Sequence, residues 1–244
     1  MYPFLFKIGS QNIYTKEFLL FLAFVIGIFL AVKRGRRFGI SPKILIKLGI
    51  LLFLASVIGG RLLYVFQNLD WYIAHPSEIL FSKSGFTFYG GFLLSFIISI
   101  LYLQKKRLSF LLLADIFAPS LALSEAIGRM GCFFGGCCYG KPTSLPWGIS
   151  FPEGSLPHQH FGSLPLHPTQ LYLALASFFI FLVIRRIKPD KGKGFFLYLT
   201  LHSIFRFIIE FVRGDTPYIF LNLNFSQITA FFIGLIGLVF LIRH

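Results

Sequence analysis

Seven apolar runs dominate the chain, and short stretches rich in basic residues, glycine or proline separate them. A helix needs about 20 predominantly apolar residues to cross a bilayer, and most of the runs approach that length. They are residues 18–32, 44–66, 86–103, 108–127, 171–184, 195–212 and 225–242. The first and the fifth are short, so we expect those helices to extend into their flanks. The pattern predicts an all-α integral membrane protein with seven transmembrane helices, forming a single polytopic domain over residues 1–244.

Composition and charge favour a bilayer over a nucleic acid as the partner of the chain. Of the 244 residues, 56% are hydrophobic and 33 are Phe, far from the composition of soluble domains. Lys and Arg number 23 against 9 acidic residues, which gives a net charge of +14. The cations lie between the apolar runs instead of on one folded face, so we expect membrane lipid and no nucleic acid as a partner.

The basic residues also predict the orientation of the spans. Loops rich in Lys and Arg are expected to be cytoplasmic, and here they alternate along the chain. They hold Lys33, Arg34, Arg36, Arg37 and Lys43 after the first run, Lys105, Lys106 and Arg107 after the third, and Arg185, Arg186, Lys188, Lys191 and Lys193 after the fifth. Seven spans then place the N-terminus outside and the C-terminus in the cytoplasm. A Gly/Pro-rich segment at about residues 128–170 falls on the outer side, where its composition predicts a cap of tight turns without long helices.

Arg129 is the leading candidate for a functional residue. It follows an apolar run within Gly128-Arg129-Met130-Gly131, and a guanidinium at the mouth of a span needs an anion to offset its cost. In a bilayer the nearest abundant anion is a phospholipid phosphate. We expect Arg129 to lie in a glycine-rich turn whose backbone amides also face the anion, with snorkelling to the interface as the alternative.

Arg206, Glu210 and Arg213 form a second cluster at i, i+4 and i+7 in a later apolar run, on one stripe of a helix. One interpretation is an intrahelical ion pair between Arg206 and Glu210. The other is that Glu210 orients one guanidinium while another binds phosphate through its bidentate fork. Both can hold together.

Glycine pairs occur in the second and third runs. Gly59-Gly60-Arg61 and Gly90-Gly91 place small residues beside polar ones at the expected outer face. Glycines in membrane helices commonly serve close helix packing, which is the alternative to a role in substrate binding. For Arg61 the alternative to binding is again snorkelling.

His167-Pro168-Thr169-Gln170 opens the fifth run. It predicts a helix start with Pro168 in the first turn and with Thr169 and Gln170 satisfying free amides. His167 is also able to move a proton near neutral pH. We expect His202, inside the sixth run, to be a hydrogen-bonded core residue.

The three cysteines, Cys132, Cys137 and Cys138, lie within seven residues. They lack the paired CxxC spacing of a strong zinc motif and have no obvious fourth ligand, so we expect no bound metal. A disulfide between Cys132 and Cys137 in an oxidising compartment is the favoured alternative, and free thiols that contact substrate remain open.

Short polar and glycine-containing motifs are distributed along most of the chain. They are Ile8-Gly9, Gly59-Gly60-Arg61 with Tyr64, Phe88-Tyr89-Gly90-Gly91, Asp115 with Ala118-Pro119, Gly128-Arg129-Met130-Gly131, His167-Pro168-Thr169-Gln170-Leu171-Tyr172, Phe205-Arg206 with Glu210-Phe211-Val212-Arg213, and Gln227. In their order and placement, these motifs resemble the prolipoprotein diacylglyceryl transferase family. Members of that family have seven spans with the N-terminus outside, the topology that the charges predict here.

The resemblance implies an enzyme of the bacterial plasma (inner) membrane. It would transfer the diacylglyceryl group of phosphatidylglycerol to the thiol of a lipobox cysteine in a prolipoprotein precursor, and release glycerol phosphate. We expect no cofactor. The expected catalytic residues are Arg129, Arg206, Tyr89 and His167, and the expected substrate-binding residues are Arg129, Arg61, Gly90, Gly91, Gly131, Cys132, Cys137, Gln170, Glu210 and Arg213.

The chain departs from the family pattern at positions expected to face the acceptor. Tyr89 stands where the family usually carries His, and an unperturbed Tyr titrates near 10, against about 6.5 for His. Cys132, Gly135 and Cys137 occupy positions of the stretch in which the family usually has an Asn and an acidic residue, and Lys16 replaces a Tyr. Alternatives to the main prediction are therefore a paralogous membrane transferase that uses another acceptor, an anion transporter, and a non-catalytic scaffold.

Overall fold

A computed structural model describes residues 4–8, 11–81 and 85–243, and they are mostly helical. In chain order the elements are β1 (Phe4–Ile8), β2 (Gln11–Tyr14), α1 (Thr15–Arg36), α2 (Pro42–Gln67), α3 (Leu69–Ala74), α4 (Glu78–Phe81), α5 (Phe88–Lys106), α6 (Phe110–Phe134), α7 (Leu156–Phe161), α8 (Thr169–Ile184), α9 (Lys193–Glu210), β3 (Tyr218–Phe220), β4 (Leu223–Asn224) and α10 (Phe225–Arg243). Gly9, which belongs to the first of the family motifs, lies outside the described residues.

Each of the seven apolar runs lies mostly within one helix, namely α1, α2, α5, α6, α8, α9 or α10. Among the described residues, α1, α2, α6 and α10 are long and apolar enough to cross a membrane. Large apolar side chains point away from the protein, as for Phe231 and Phe232 of α10, each 58% exposed. Such a surface is stable in lipid and not in water, so the chain is a helical, multi-pass membrane protein.

Two short antiparallel hairpins, β1–β2 and β3–β4, accompany the predicted helices. In the second hairpin the connecting residues Leu221 and Asn222 have φ of 48° and 57°. Two consecutive positive φ values match a type I′ turn, whose twist suits an antiparallel hairpin. Nothing in the apolar periodicity of the sequence indicates this turn.

The chain forms two compact units, one of Val32–Leu113 and the other of Met1–Ala31 with Ala114–His244. In the first unit, α2 packs against α5 at backbone distance. A Cβ on Gly59 would overlap the carbonyl oxygen of Gly90, and the reverse also holds. A Cβ on Gly91 would lie 2.6 Å from the carbonyl oxygen of Ser56. These glycines therefore serve close helix packing.

In the second unit, α6, α8 and α9 share an apolar core. Its fully buried residues are Ala118, Ala122, Ile180 and Ile184. Asp115 of α6 is also fully buried, and its carboxylate accepts hydrogen bonds from the amides of Asp190, Gly192 and Phe195 at distances of 2.8 to 2.9 Å. A carboxylate at the first turn of a helix satisfies free amides and the helix dipole, so Asp115 fixes the start of α9.

The end of α6 corrects the prediction for Arg129. The helix continues to Phe134, so Arg129 lies inside it and not in a glycine-rich turn. The flanking glycines face α1 instead: a Cβ on Gly131 would lie 3.3 Å from the carbonyl oxygen of Lys16, and one on Gly128 would lie 3.6 Å from Leu20. Glycine here allows two helices to approach, which sequence alone does not distinguish from a turn.

The Gly/Pro-rich segment, predicted at about residues 128–170, begins later than predicted because α6 continues to Phe134. The residues after α6 fold into turns around the short helix α7, without a long helix, as predicted. Tyr139, Phe151 and Leu166 form its buried core. Bridges of extended backbone pair Leu166 with Pro142 and Ile149, and Gly140 with Arg213. The segment is therefore joined to the chain that follows α9.

Candidate active site

Arg129 lies in a polar cluster between α6 and α9. Its Nη2 is 3.2 Å from Oε1 of Glu125, one turn earlier in α6, and the other carboxylate oxygen is 3.0 Å from Nδ1 of His202. His202 stacks on Tyr198, with ring centroids 5.6 Å apart. The partner of His202 is thus the carboxylate that also holds Arg129. With 28% of its side chain exposed, His202 is not the core residue that was predicted.

Arg206 is held on two sides and has one buried donor left. Its Nε is 3.1 Å from Oε2 of Glu210, and its Nη2 is 3.2 Å from the Ser226 hydroxyl. The predicted ion pair with Glu210 is therefore present. Nη1 is buried, and it has no hydrogen-bond partner among the described residues. A buried guanidinium N–H without a partner is costly, which indicates a ligand at this point.

Arg213 follows α9 instead of continuing its stripe, because the helix ends at Glu210. Its Nη2 is 2.6 Å from Oδ1 of Asp215, and its Nη1 is 3.8 Å from Oε2 of Glu210. The adjacent chain is tied to the cap, since the amide of Lys141 donates to the carbonyl of Val212 over 2.8 Å.

Arg129, Arg206 and Arg213 come together at one place. Arg206 lies within electrostatic range of the two other guanidiniums and of Cys138. The carboxylates of Glu125, Glu210 and Asp215 each bind one edge of the guanidiniums. Because an Arg side chain has five N–H donors in a fork, pairing of one edge leaves the other able to bind an anion.

The cysteines converge beside Arg129. The three Sγ atoms lie within 4.8 Å of one another, and Nη1 of Arg129 is 4.0 Å from Sγ of Cys138. All three are free thiols, so the predicted disulfide between Cys132 and Cys137 is not formed. Hydrogen bonds with Cys132 and Cys137, together with the charges of Arg213 and Arg129, hold the pKa of Cys138 well below its ordinary value. Hydrogen bonding to Cys132 and then to Cys138 raises the pKa of Cys137.

Thr169 and Gln170, at the start of α8, hold the backbone of the cysteine turn. The Thr169 hydroxyl donates to the carbonyl of Cys138 over 2.6 Å, and Nε2 of Gln170 donates to that of Cys137 over 2.8 Å. Both side chains are fully buried. This corrects the prediction that they satisfy amides of their own helix, and Pro168 lies at the N-cap rather than in the first turn.

His167 belongs to a short polar chain on the cap. Its Nδ1 is 3.2 Å from the hydroxyl of Tyr172, which also accepts a hydrogen bond of 2.7 Å from Nε1 of Trp147. Its backbone pairs with Gly140 and Lys141. A proton-transfer role for His167 stays a prediction.

Arg61 lies in the other unit, where its guanidinium binds backbone. Nε donates to the carbonyl of Ile79 over 2.9 Å and Nη1 to that of Gly85 over 3.0 Å, and the charge lies 5.2 Å from the centre of the Tyr72 ring. These contacts join α2 to the chain around α4 and stabilise the unit. Substrate binding by Arg61 stays a prediction.

The remaining predicted residues have structural contacts or high exposure. Gly90 and Gly91 form the contact of α5 with α2, and Gly131 forms that of α6 with α1. Tyr89, in the first turn of α5, is 53% exposed. Roles in substrate binding for the glycines and in catalysis for Tyr89 stay predictions.

Comparison with known proteins decides the family. A family model described as prolipoprotein diacylglyceryl transferase matches residues 3–243, nearly the entire chain. The chain belongs to the prolipoprotein diacylglyceryl transferase family. It is 33% identical over 241 residues to the phosphatidylglycerol–prolipoprotein diacylglyceryl transferase of Clostridium tetani, which covers 98% of this chain and 96% of that protein.

Other relatives carry related names. The phosphatidylglycerol–prolipoprotein diacylglyceryl transferase 2 of Clostridium perfringens is 33% identical over 237 residues, covering 96% of this chain and 91% of that protein. The phosphatidylglycerol–prolipoprotein diacylglyceryl transferase of Geobacter sulfurreducens is 30% identical over 251 residues, covering 97% of this chain and 92% of that protein. The similarity therefore extends over nearly the whole length of these proteins.

Sequence reasoning missed one central residue of this diacylglyceryl transferase family member. Glu125 joins Arg129 to His202, yet only its spacing of four residues from Arg129 in an apolar run gives a signal. The apolar surroundings of the site were also missed. A groove of about 450 Å³ between α6 and α8 is lined by Leu123, Ala126, Ile127, Met130, Leu171, Ala174, Leu175 and Phe178.

Proposed function

We propose that this chain transfers the diacylglyceryl group of phosphatidylglycerol to the cysteine thiol of a lipobox in a prolipoprotein. The names of the relatives give this donor and this acceptor for those proteins. In this chain, the observation that supports the proposal is the convergence of Arg129, Arg206 and Arg213, with a buried Nη1 of Arg206 that has no partner among the described side chains.

The donor phosphate binds to the free edges of two guanidiniums. Glu125 takes Nη2 of Arg129, and Nη1 of Arg129 faces Sγ of Cys138, whereas Glu210 takes Nε of Arg206. Nη1 of Arg206 and the remaining N–H donors of Arg129 therefore bind phosphate oxygens. Each carboxylate fixes the plane of its guanidinium before the lipid arrives. Preorganised charge of this kind needs no rearrangement during the reaction.

The reaction is a displacement at carbon. The acceptor sulfur attacks the glycerol carbon that carries the phosphate, a C–S bond forms, and the C–O bond to phosphate breaks. The bond's electron pair leaves with the phosphate oxygen, so negative charge grows there in the transition state. Arg129 and Arg206 bind the phosphate more strongly in the transition state than in the ground-state lipid. This difference in binding accelerates the reaction.

An acyl chain of the donor occupies the groove between α6 and α8. Met130, which lines the groove, follows Arg129 in the chain, and Leu171, on the opposite wall, follows Gln170. The lining is apolar, as a hydrocarbon chain requires. One lipid molecule can therefore place its phosphate at Arg129 and an acyl chain in the groove.

The other predicted residues have roles on the acceptor side or at the lipid-binding surface. Tyr89 and His167 assist proton transfer, Gln170 and Gly131 position the cysteine turn, and Arg61, Gly90 and Gly91 shape the lipid-binding surface of their unit. Cys132 and Cys137 contact the acceptor.

The protein is a single polytopic domain in the bacterial plasma membrane, with seven spans, the N-terminus outside and the C-terminus in the cytoplasm. Basic residues at the ends of α1, α5 and α10 support this orientation. These helices are the first, third and seventh spans, and each of them ends in the cytoplasm when the N-terminus lies outside. The cap then lies on the outer side, where secreted precursors arrive.

Replacement of Arg129 tests the function. We expect Arg129→Ala to lower the transfer of labelled diacylglyceryl from phosphatidylglycerol to a lipobox peptide at least about 100-fold, because a donor to the developing charge is removed. The measurement uses purified protein in mixed micelles, with Arg186→Ala as control, since Arg186 is an exposed residue after α8. Unchanged labelling by Arg129→Ala would contradict the proposal.

A further inference from the structure

All three cysteines of the chain belong to one cluster of sulfur atoms. Cys132 lies in the last turn of α6, and Cys137 and Cys138 follow in the next turn of the backbone. Their Sγ atoms lie within 4.8 Å of one another, and no His, Asp or Glu completes the group among the residues that the structure describes. Spacing in the sequence indicated no metal here, but the fold brings three soft ligands together.

Hydrogen bonds within the turn and from the start of α8 hold this arrangement. The amide of Cys137 donates to the carbonyl of Cys132 over 3.1 Å, and the carbonyls of Cys137 and Cys138 are bound by Gln170 and Thr169. Cys138 has a φ of 61°, a left-handed conformation that is uncommon for a residue with a side chain. Such strain persists only where the surroundings determine it, and it is concentrated at functional sites.

We propose that Cys132, Cys137 and Cys138 bind one Zn²⁺ as thiolates, and that the acceptor cysteine of the prolipoprotein becomes the fourth ligand. The second part rests on the proposed transfer reaction. Zinc holds thiolates at about 2.3 Å, which places tetrahedral sulfur ligands about 3.8 Å apart, so small rotations of the three side chains suffice. Three protein ligands with one open position are the pattern of catalytic rather than structural zinc.

The charges around the cluster suit such a complex. Three thiolates and Zn²⁺ carry a net charge of −1, and a fourth thiolate makes it −2. Arg129, with Nη1 at 4.0 Å from Sγ of Cys138, compensates this charge, and Arg213 also acts on the same sulfur. Since Arg129 also belongs to the proposed phosphate site, the metal-bound sulfur would lie close to the leaving group.

Zinc supplies what the acceptor thiol lacks. The nucleophile must be a thiolate, and a thiol that coordinates zinc is deprotonated outright. Its proton goes to water on binding. The bound sulfur then forms the C–S bond while the C–O bond breaks, and glycerol phosphate leaves with the electron pair. The thioether product is uncharged and dissociates, so the zinc and its three thiolates are regenerated without any oxidant or reductant.

The proposal also accounts for two departures from the family pattern. Tyr89 replaces the usual His, a better base near neutral pH, and cysteines stand where the family has other residues. A metal that deprotonates the acceptor removes the need for a strong base at Tyr89.

Metal binding is tested first, without any transfer activity. The full chain in detergent, reduced with a phosphine that does not bind metal, is titrated with Co²⁺ and then Zn²⁺. We expect one Co²⁺ per chain with a thiolate-to-cobalt charge-transfer band, and three reactive thiols in metal-free protein that zinc protects. Cys132→Ser, Cys137→Ser and Cys138→Ser each weaken binding at least about 100-fold, more than loss of an outer-shell partner does.

His75→Gln is the matched control, because His75 is an exposed potential ligand in the other unit, and binding should not change. Protection of the thiols is measured on the unaltered protein, so the proposal is falsifiable even where a Ser variant fails to fold. Three reduced thiols without stoichiometric Co²⁺, or a disulfide that persists under reductant, overturns it.

The fourth ligand is tested with a lipobox peptide and no donor lipid. The Cys peptide should strengthen the charge-transfer band of the Co²⁺ protein, and the same peptide with Ser should leave it unchanged. An unchanged band with the Cys peptide overturns the role in acceptor binding. The two proposals fail separately: transfer at full rate by zinc-free protein overturns the role of zinc in the reaction alone, whereas peptide ligation without transfer overturns the proposed reaction alone.

Discussion

At Arg206, the contribution of the positive charge can be tested separately from that of the guanidinium geometry. Its guanidinium contacts Glu210 through Nε and Ser226 through Nη2, and Nη1 is the donor proposed for phosphate. Lysine keeps the positive charge but lacks the planar fork, so it cannot hold both partners and a phosphate oxygen at once. Replacement of Arg206 by Lys therefore tests whether the site needs only a positive charge or a guanidinium held in a fixed orientation.

We predict that Arg206→Lys lowers kcat of the transfer reaction about 100-fold with a smaller change in KM for phosphatidylglycerol, because the substitution removes the hydrogen bond that strengthens in the transition state. Steady-state kinetics in mixed micelles measures both constants. Arg186→Lys, at an exposed position, is the control. A change confined to KM would show that Arg206 acts in ground-state binding only.

Gln170 is expected to act on the cysteine turn rather than on substrate directly. Gln170→Met removes the donor to the carbonyl of Cys137 and leaves a buried acceptor unsatisfied, so we predict a decrease of about 1–3 kcal/mol in the free energy of unfolding. Denaturant unfolding in detergent measures it.

Thiol modification adds a second readout for the same variant, since a loosened turn should react faster. Gln159→Met is the matched control, because the hydrogen bond from the Gln159 side chain to the carbonyl of Gly154 is long, at 3.5 Å. Equal stability and equal thiol reactivity in the two variants would count against the proposed positioning role.

At the scale of elements, glycines in the helices differ in what surrounds them. Gly90 of α5 meets the carbonyl oxygen of Gly59, whereas Gly128 of α6 has only a side-chain atom of Leu20 at 3.6 Å. A backbone oxygen cannot rotate away, but the end of a leucine can. The two sites therefore give opposite expectations for the same substitution.

We predict that Gly90→Ala lowers the free energy of unfolding by about 1–3 kcal/mol, because α2 and α5 must move apart. Gly128→Ala should leave stability unchanged or raise it by up to about 1 kcal/mol through helix propensity. Thermal unfolding of both variants in the same detergent gives the comparison. Equal destabilisation of the two variants would show that the close approach of α2 and α5 is not needed.

The elements were largely predictable from sequence, and the contacts between them were not. Apolar runs predicted α1, α2, α5, α6, α8, α9 and α10 because a bilayer imposes length and composition on each helix separately. The spacing of Arg206 and Glu210 predicted their ion pair for the same local reason. The thiol cluster depends instead on a turn held by Thr169 and Gln170, about thirty residues away in the chain.

The position of Arg129 shows a different limit. Glycine is suited both to turns and to close helix contacts, so Gly128 and Gly131 gave no means of deciding between them. Helix α1 decides, because its residues Lys16 and Leu20 lie against these glycines. Glu125 escaped notice because its partner His202 lies in another helix.

For the whole molecule, orientation in the membrane decides whether the cap meets secreted precursors. We predict that alkaline phosphatase inserted at Gly154 of the cap is active, and that a fusion after Lys188 is inactive, because the enzyme folds only outside the cytoplasm. Gly154 has no atom within 4 Å of its Cβ position, so insertion there disturbs little. The opposite pattern would place the cap in the cytoplasm and exclude secreted precursors as acceptors.

Helix α9 is fastened at both ends. At its start, Asp115 binds three amides, and beyond its end the carbonyl of Val212 and the amide of Gly214 pair with Lys141 and Tyr139 of the cap. A helix that is hydrogen-bonded to its neighbours at both ends does not move aside as a gate. A lipid that enters laterally from the bilayer must therefore pass a different helix. The hinge for its entry belongs to an element whose ends are not bound in this way.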